Sequence, residues 1–216
     1  MQPLDDRTAL STLVLTDGDL PSLVALAIAT ARGAAGAVAA LAFPMPGPDG
    51  SLGPVADDAA LRQAELLGAA PLHQPLDEPA TPRLLLAAAE TAFAVGAASI
   101  VWPCRGESGL DQQAALCDTA VLAGRLASMS QYAALAAGTT TASAGERRDA
   151  AAVRIDTPLV DLTDEQLVEL AADVEAPVET CWWWPMAERA ADPDAEAAAA
   201  RWVPLLEAAG WKAVAS

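Results

Sequence analysis

A polar turn follows the first apolar run of the chain, and it carries the residue types best suited to phosphate or metal chemistry. The run STLVLT (11–16) leads into the turn DGD, and a helix-like repeat of apolar residues covers 21–32. A strand, a tight turn and a helix are the layout of a phosphate loop, which presents backbone N–H groups to an anion. Such a loop favours glycine and hydroxyl side chains, whereas this one offers Asp17, Asp19 and Pro21. The turn either binds a nucleotide or has lost that ability.

Three interpretations of Asp17 and Asp19 follow from their position before a helix. Either carboxylate could cap the helix and interact with its dipole, a contribution of about 0.5–2 kcal/mol. The loop could instead bind a nucleotide weakly, since carboxylates repel a phosphate at close range. As a third possibility the two carboxylates could share Mg²⁺ with a phosphate, which would make an acidic metal site.

Other catalytic chemistries have little support in the sequence. No G-x-S-x-G elbow, P-loop of the GKS/T type or G-x-G-x-x-G motif is present. His73 is the only histidine and is more simply a strand-end residue than a base. Three widely spaced cysteines, without a CxxC pair, favour free thiols in a reducing compartment: Cys104, Cys117 and Cys181.

Alternating strand-like and helix-like segments position this turn. After the segments named above, the pattern predicts strands at 36–43, 71–77, 98–103 and 152–159, and helices at 56–69, 81–97, near 111–129 and at 162–174. Thr163 and Gln166 form a capping-box pattern at the start of the 162–174 helix. A last helix begins at Asp192–Pro193, and Pro204 should break or bend it. This order predicts an α/β fold, a mostly parallel sheet with helices on both faces.

Composition excludes several partners. The chain has 216 residues and a formal net charge of −17, which argues against nucleic-acid binding and against an anionic membrane surface. No apolar run reaches the roughly 18 residues that span a bilayer, and the N-terminus lacks a basic signal-like region. We therefore expect a cytoplasmic protein with no nucleic-acid or membrane partner.

Four segments, taken in order, resemble the PP-loop ATP pyrophosphatases, which belong to the adenine nucleotide alpha hydrolase-like superfamily, and among them the 7-cyano-7-deazaguanine synthases. They are LVLTDGDLPSLVALAIA, GAVAALAFPMPGPD with AELLGAAPLHQPLD, FAVGAASIVWPCRGESGLD, and IDTPLVDLTDEQLVELAADVEAPVETCWWW. The family loop SGGxDSS falls on residues 16–22, where Asp17 replaces a glycine, Leu20 an aspartate and Pro21 a serine. The glycine allows close backbone approach to pyrophosphate, and proline removes an N–H donor, so both changes weaken the site.

The resemblance implies a Rossmann-like fold and a set of site residues. An adenine nucleotide would contact Thr16, Asp17, Gly18, Asp19 and Ser22, with ATP and Mg²⁺ as cofactors. The substrate would meet Arg105, Glu107 and Ser108, although the family's D-C-R-P-E-F run is not well reproduced there. A buried Arg105 could clamp a carboxylate; the alternative is an exposed loop with an internal Arg–Glu pair.

The family's zinc site has no counterpart after Thr180 and Cys181, because no cysteine follows. Zinc is therefore not expected, and no metal ligand is assigned. We divide the chain into an α/β domain, 1–180, and a helical tail, 181–216, that replaces the zinc segment. Trp182, Trp183 and Trp184 are interpreted as buried indoles, or alternatively as a homodimer or partner interface.

Two functions follow. The first is an ATP-dependent ligase of queuosine biosynthesis that converts a deazapurine carboxylate to a nitrile, with its activity weakened or lost. The second is a catalytically retired relative, a pseudoenzyme that acts as a nucleotide-binding or protein-interaction module. Loss of the loop glycine, the loop aspartate and the zinc cysteines together favours the second.

Overall fold

A five-stranded sheet, in which every pair of neighbouring strands is parallel, forms the centre of the fold. The computed structural model describes residues 10–34, 36–43, 57–72, 81–106, 109–136, 153–184 and 193–211. The strands are β1 (Thr12–Thr16), β2 (Val38–Ala42), β3 (Ala70–Leu72), β4 (Ser99–Val101) and β5 (Arg154–Asp156). Their order in the sheet is β3-β2-β1-β4-β5. The predicted α/β fold with a parallel sheet is confirmed, and its topology is Rossmann-like.

Six α-helices in the described ranges cover the two faces of the sheet. They are α1 (Leu20–Arg32), α2 (Asp57–Leu67), α3 (Thr81–Val95), α4 (Leu110–Ala136), α5 (Asp164–Asp173) and α6 (Pro193–Ala208), with a 3-10 turn at Val178–Thr180. Helices α1, α5 and α6 pack in one apolar cluster, and α3 and α4 pack in another. Helices α1 to α4 pack directly on a sheet whose strands carry apolar residues on both faces, whereas α5 packs on α1 and α6 packs on α5.

The strand residues alternate between these two clusters, as the period of two requires. In β1, Val14 belongs to the α1 side, whereas Leu13 and Leu15 belong to the α3–α4 side. The α1-side cluster continues into the C-terminal part of the chain through Trp183 and Trp202. The tail after residue 180 thus shares its apolar core with the sheet, while the domain division at that residue stays a prediction.

Local start and stop signals in the sequence are confirmed at several helix ends. Thr163 caps α5, and its capping box with Gln166 is formed in both directions, at 3.2 Å and 2.9 Å. Gly33 follows the end of α1. Pro204 does not break the last helix, because α6 runs through it from Pro193 to Ala208; the alternative, that Pro204 bends the helix, stays a prediction.

Element lengths differ from the predictions where proline intervenes or where a helix continues on small residues. The strand predicted at 98–103 contains only Ser99–Val101 as β4, and Pro103 cannot donate to a ladder. The strand predicted at 152–159 is reduced to β5, with Pro158 close behind it. Helix α4 runs to Ala136, beyond the predicted 129. In the described ranges, no helix is both long and apolar enough to cross a membrane.

Candidate functional site

The loop between β1 and α1 lies where an open parallel sheet of this topology binds ligands. Strand β1 pairs with β2 on one side and β4 on the other, so the chain reverses its direction across the sheet at β1 and β4. Ligands bind beyond the carboxyl ends of the strands at such a point. Residues 17–19 form the turn, and Gly18 has a φ of 82°, a conformation that glycine adopts without strain. The predicted nucleotide-binding residues are therefore brought together in one loop.

The backbone N–H groups of this loop are bonded to the loop's own side chains. The Gly18 N–H donates to Thr16 Oγ1 at 3.2 Å, and the Asp19 N–H donates to Asp17 Oδ1 at 3.0 Å. The Leu20 N–H donates to Asp19 Oδ1 at 2.7 Å, which makes Asp19 the N-cap of α1. Pro21 has no N–H to offer. The expectation that one of the two aspartates caps α1 is confirmed, with Asp19 as the cap.

Hydroxyl groups complete the network beneath the turn. Thr16 and Ser22 are both fully buried, and Thr16 Oγ1 lies 3.2 Å from Ser22 Oγ. Ser22 Oγ lies within donating distance of Asp17 Oδ1, at 2.8 Å, and of the Asp19 carbonyl oxygen, at 2.9 Å. The hydroxyls that resemblance assigns to a phosphate thus face groups of the same loop.

A distant part of the chain covers the turn. The Trp183 indole Nε1 donates to Asp19 Oδ1, and the Trp182 N–H donates to the Gly18 carbonyl at 3.2 Å. Gln63 of α2, buried completely, donates from Nε2 to the same Gly18 carbonyl at 3.0 Å. Sequence reasoning missed Gln63; its only signal was an amide among the apolar residues of α2.

Burial, and after it the charge of the neighbouring Asp19 carboxylate, raise the pKa of Asp17 from 3.8 to about 7, against the hydrogen bonds that Asp17 accepts. Burial also raises the pKa of Asp19, although the Leu20 N–H, Trp183 and two arginines oppose the shift. The Cys181 thiol behind them is buried, which raises its pKa as well. Both carboxyl groups of the pair therefore keep their protons to a higher pH than an exposed aspartate does.

These features do not fit a bound phosphate. Three successive N–H donors already have side-chain acceptors, and two carboxyl groups stand at the helix start. Anionic phosphate would meet like charges rather than free donors. Within the described ranges, no group of three or more histidine, cysteine, aspartate or glutamate side chains is placed to hold a metal ion.

Arg105, predicted to meet a substrate, is buried at the end of β4 and contacts α5. Its Nη1 donates to Asp164 Oδ1 at 2.5 Å and its Nη2 to the Leu162 carbonyl at 2.9 Å. Only 7% of its side chain is exposed, so the alternative of an exposed loop arginine is wrong for this residue. Glu107 and Ser108, the other predicted substrate residues, lie outside the described residues, as does His73.

Asp164 joins Arg105 to the last helix. Arg201 of α6 donates to both carboxylate oxygens of Asp164, at 2.9 Å and 2.8 Å. The Trp202 ring lies 4.5 Å from the Arg201 guanidinium and 5.6 Å from that of Arg105. Burial would raise the pKa of Asp164, but hydrogen bonds from Arg201 and Arg105 bring it below its ordinary value. This ion-pair cluster was not predicted from the sequence, because Arg105, Asp164 and Arg201 lie far apart along the chain.

The three consecutive tryptophans are mainly core residues. Trp183 and Trp184 are 2% and 7% exposed, with ring centroids 6.1 Å apart, and Trp182 is partly buried. The interpretation of these indoles as buried is confirmed for Trp183 and Trp184. An interface through Trp182–Trp184 stays a prediction.

An apolar cavity of about 200 Å³ lies beside the loop. It is at the carboxyl ends of β1, β2 and β3 and is lined by Thr16, Ala40, Ala42, Ala60, Leu61, Pro71 and Leu72. Apart from Thr16, whose hydroxyl is already bonded within the loop, the lining consists of alanine, leucine and proline residues. The described lining carries no charged group, so it suits an uncharged, apolar moiety.

A scan of the chain against protein-family models finds no match, and no curated protein matches it in sequence.

Proposed function

We propose that this chain is a catalytically retired relative of the PP-loop ATP pyrophosphatases, which keeps their fold and acts as a protein-interaction module. One observation carries the proposal: Asp19 caps α1 and also accepts the indole N–H of Trp183. A carboxylate of the chain thus occupies the helix N-terminus that a nucleotide phosphate requires in an active relative. The three free cysteines fit a cytoplasmic location.

The free energy of the loop favours the state in which Asp19 caps α1 over a state in which ATP takes its place. A ligand phosphate would have to displace an N-cap that contributes about 1 kcal/mol and leave Asp19 buried without its donors. It would also approach Asp17, which carries charge above about pH 7. We therefore expect that neither ATP with Mg²⁺ nor AMP binds at millimolar concentration.

A second candidate is the ATP-dependent ligase of the 7-cyano-7-deazaguanine synthase type. It is favoured by the apolar cavity next to Thr16, which has room for a small apolar group. This candidate requires that the loop release Asp19 when ligand binds. We derive no catalytic step for it, because the loop residues as placed do not fit a phosphate.

Calorimetric titration and thermal unfolding with ATP plus Mg²⁺, and then AMP, distinguish the two candidates. A ligand that binds the folded protein and is present at one hundred times its Kd adds about 2.7 kcal/mol to the free energy of unfolding. We expect no shift for the wild type, for Thr16→Ala or for its matched control Thr16→Ser, which keeps the hydroxyl. If a nucleotide stabilises the wild type and Thr16→Ser but not Thr16→Ala, the proposal that the loop no longer binds nucleotides is refuted. Release of pyrophosphate would establish the enzyme.

A further inference from the structure

Helix α4 has two apolar faces, and the described structure buries only one of them. Ala120, Ala123 and Ala127 pack against the sheet side. On the opposite side lie large exposed apolar residues, and Leu122 and Met129 are 58% and 67% exposed. A helix that is apolar all round is normally buried all round.

The exposed face is a continuous stripe along the helix. At 100° per residue its members fall within one arc of roughly 140°. They are Asp111, Ala114, Ala115, Asp118, Val121, Leu122, Arg125, Leu126 and Met129, all exposed. From Asp111 to Met129 the stripe is about 27 Å long at 1.5 Å per residue.

The two central charges of the stripe have no ion-pair partner among the described residues. Asp118 and Arg125 lie seven positions apart, too far for a pair on the same helix. Neither belongs to an ion pair within the described ranges. A partner that covers the apolar stripe must therefore also offer a cation opposite Asp118 and an anion opposite Arg125.

We propose that a second copy of this chain covers the stripe, with the two α4 helices antiparallel about a two-fold axis near Leu122. In such an isologous contact both copies use the same surface, so every contact between two different residues occurs twice, once in each direction. An axis between Val121 and Leu122 places Asp118 opposite Arg125 of the second copy, and this pair forms twice. Met129 then lies over Ala114 and Ala115, so a long side chain meets two short ones. A parallel pairing would oppose like charges and lacks this complementarity.

The contact is small, so the dimer forms at raised concentration. One helix from each copy buries less than the roughly 1,600 Å² of a standard interface. We expect Kd on the order of 10 µM, in the range of weak specific complexes. This surface is distinct from the buried Trp183–Trp184 pair and independent of the β1–α1 loop.

Sedimentation of the full chain over a concentration series from about 1 to 300 µM tests the proposal. The wild type should dimerise, and Leu122→Glu should raise Kd at least about tenfold by placing two carboxylates at the axis. Leu66→Glu is the matched control, because Leu66 of α2 is also exposed, at 64%. It should dimerise as the wild type does, with both variants equally folded by circular dichroism.

Charge exchange makes the test specific for the antiparallel register. Asp118→Arg and Arg125→Asp should each weaken self-association, because each opposes like charges across the axis. Mixed together, these two variants should form a heterodimer, and the doubly exchanged chain should dimerise as the wild type does. A wild type that stays monomeric to 300 µM, or a dimer indifferent to Leu122→Glu, would overturn the proposal. A dimer without rescue by charge exchange would overturn the register.

Discussion

The contribution of Asp17 to the free energy of unfolding should fall as the pH rises from about 4 to 7. Below 3.8 the carboxyl is protonated in both the folded and the unfolded chain. Between 3.8 and about 7 the unfolded chain loses this proton while burial and the charge of Asp19 keep it on the folded chain. The stability that the raised pKa contributes is therefore present at low pH and lost as pH rises through the folded value.

The difference between 3.8 and about 7 corresponds to at most about 4 kcal/mol of unfolding free energy. Asp17→Asn removes the charge but keeps an oxygen that can accept from the Asp19 N–H and the Ser22 hydroxyl. It also relieves Asp19 of a neighbouring charge. At pH 8 the variant should exceed the wild type by up to about 4 kcal/mol, and for a chain of this size that raises Tm by about 10 °C.

Urea unfolding of wild type and Asp17→Asn at pH 4, 5, 6, 7 and 8 measures this difference directly. Apart from Asp19, which is coupled to Asp17, the other carboxylates should titrate equally in both proteins, so only the difference between the two curves is interpreted. Asp173→Asn, an exposed aspartate on α5, is the matched control and should give a nearly constant difference. A difference that is equally flat for Asp17→Asn, or that shrinks toward pH 8, would refute the buried-carboxyl argument.

Two further predictions concern the contacts around the loop. Trp183→Phe keeps a buried ring but removes the N–H that Asp19 accepts, so the unfolding free energy at pH 7 should fall by about 1–3 kcal/mol in a urea titration; an unchanged value would show that this hydrogen bond contributes nothing. Asp164→Asn should cost about 1–3 kcal/mol at pH 7, because Arg105 is left buried without its carboxylate. Since the pKa of Asp164 is lowered, its contribution is present above 3.8 and lost as pH falls through the folded pKa, so the gap to wild type should narrow as the pH is lowered below 3.8; a gap that stays constant there would contradict the ion-pair explanation.

Much of the architecture follows from local sequence patterns. The apolar run ending at Thr16, the polar turn and the helix ending before Gly33 are all found as expected. The capping box of Thr163 is formed within four residues of sequence. Such features depend on contacts between near neighbours, so residue type and spacing suffice to predict them.

Strand ends and the length of α4 were less predictable. Ladder pairing decides where a strand ends, and β4 stops at Val101 because its neighbour β5 is equally short and prolines follow both. Helix α4 continues to Ala136 through small and apolar residues that carry no stop signal. The ends of these elements depend on the neighbouring strands and helices, whose positions cannot be read from a single sequence.

The sequence alone determined that a loop with the layout of a phosphate loop follows β1, and that it carries the carboxylates of Asp17 and Asp19. Only the tertiary structure decided what those carboxylates contact. Asp19 and Trp183 are 164 positions apart, and Arg105 and Asp164 are 59 apart. Side chains so distant meet because α1, α5 and the C-terminal segment pack on one face of the sheet. Hydrogen bonding and burial at that junction, rather than residue type, set the charge and the accessibility of the loop.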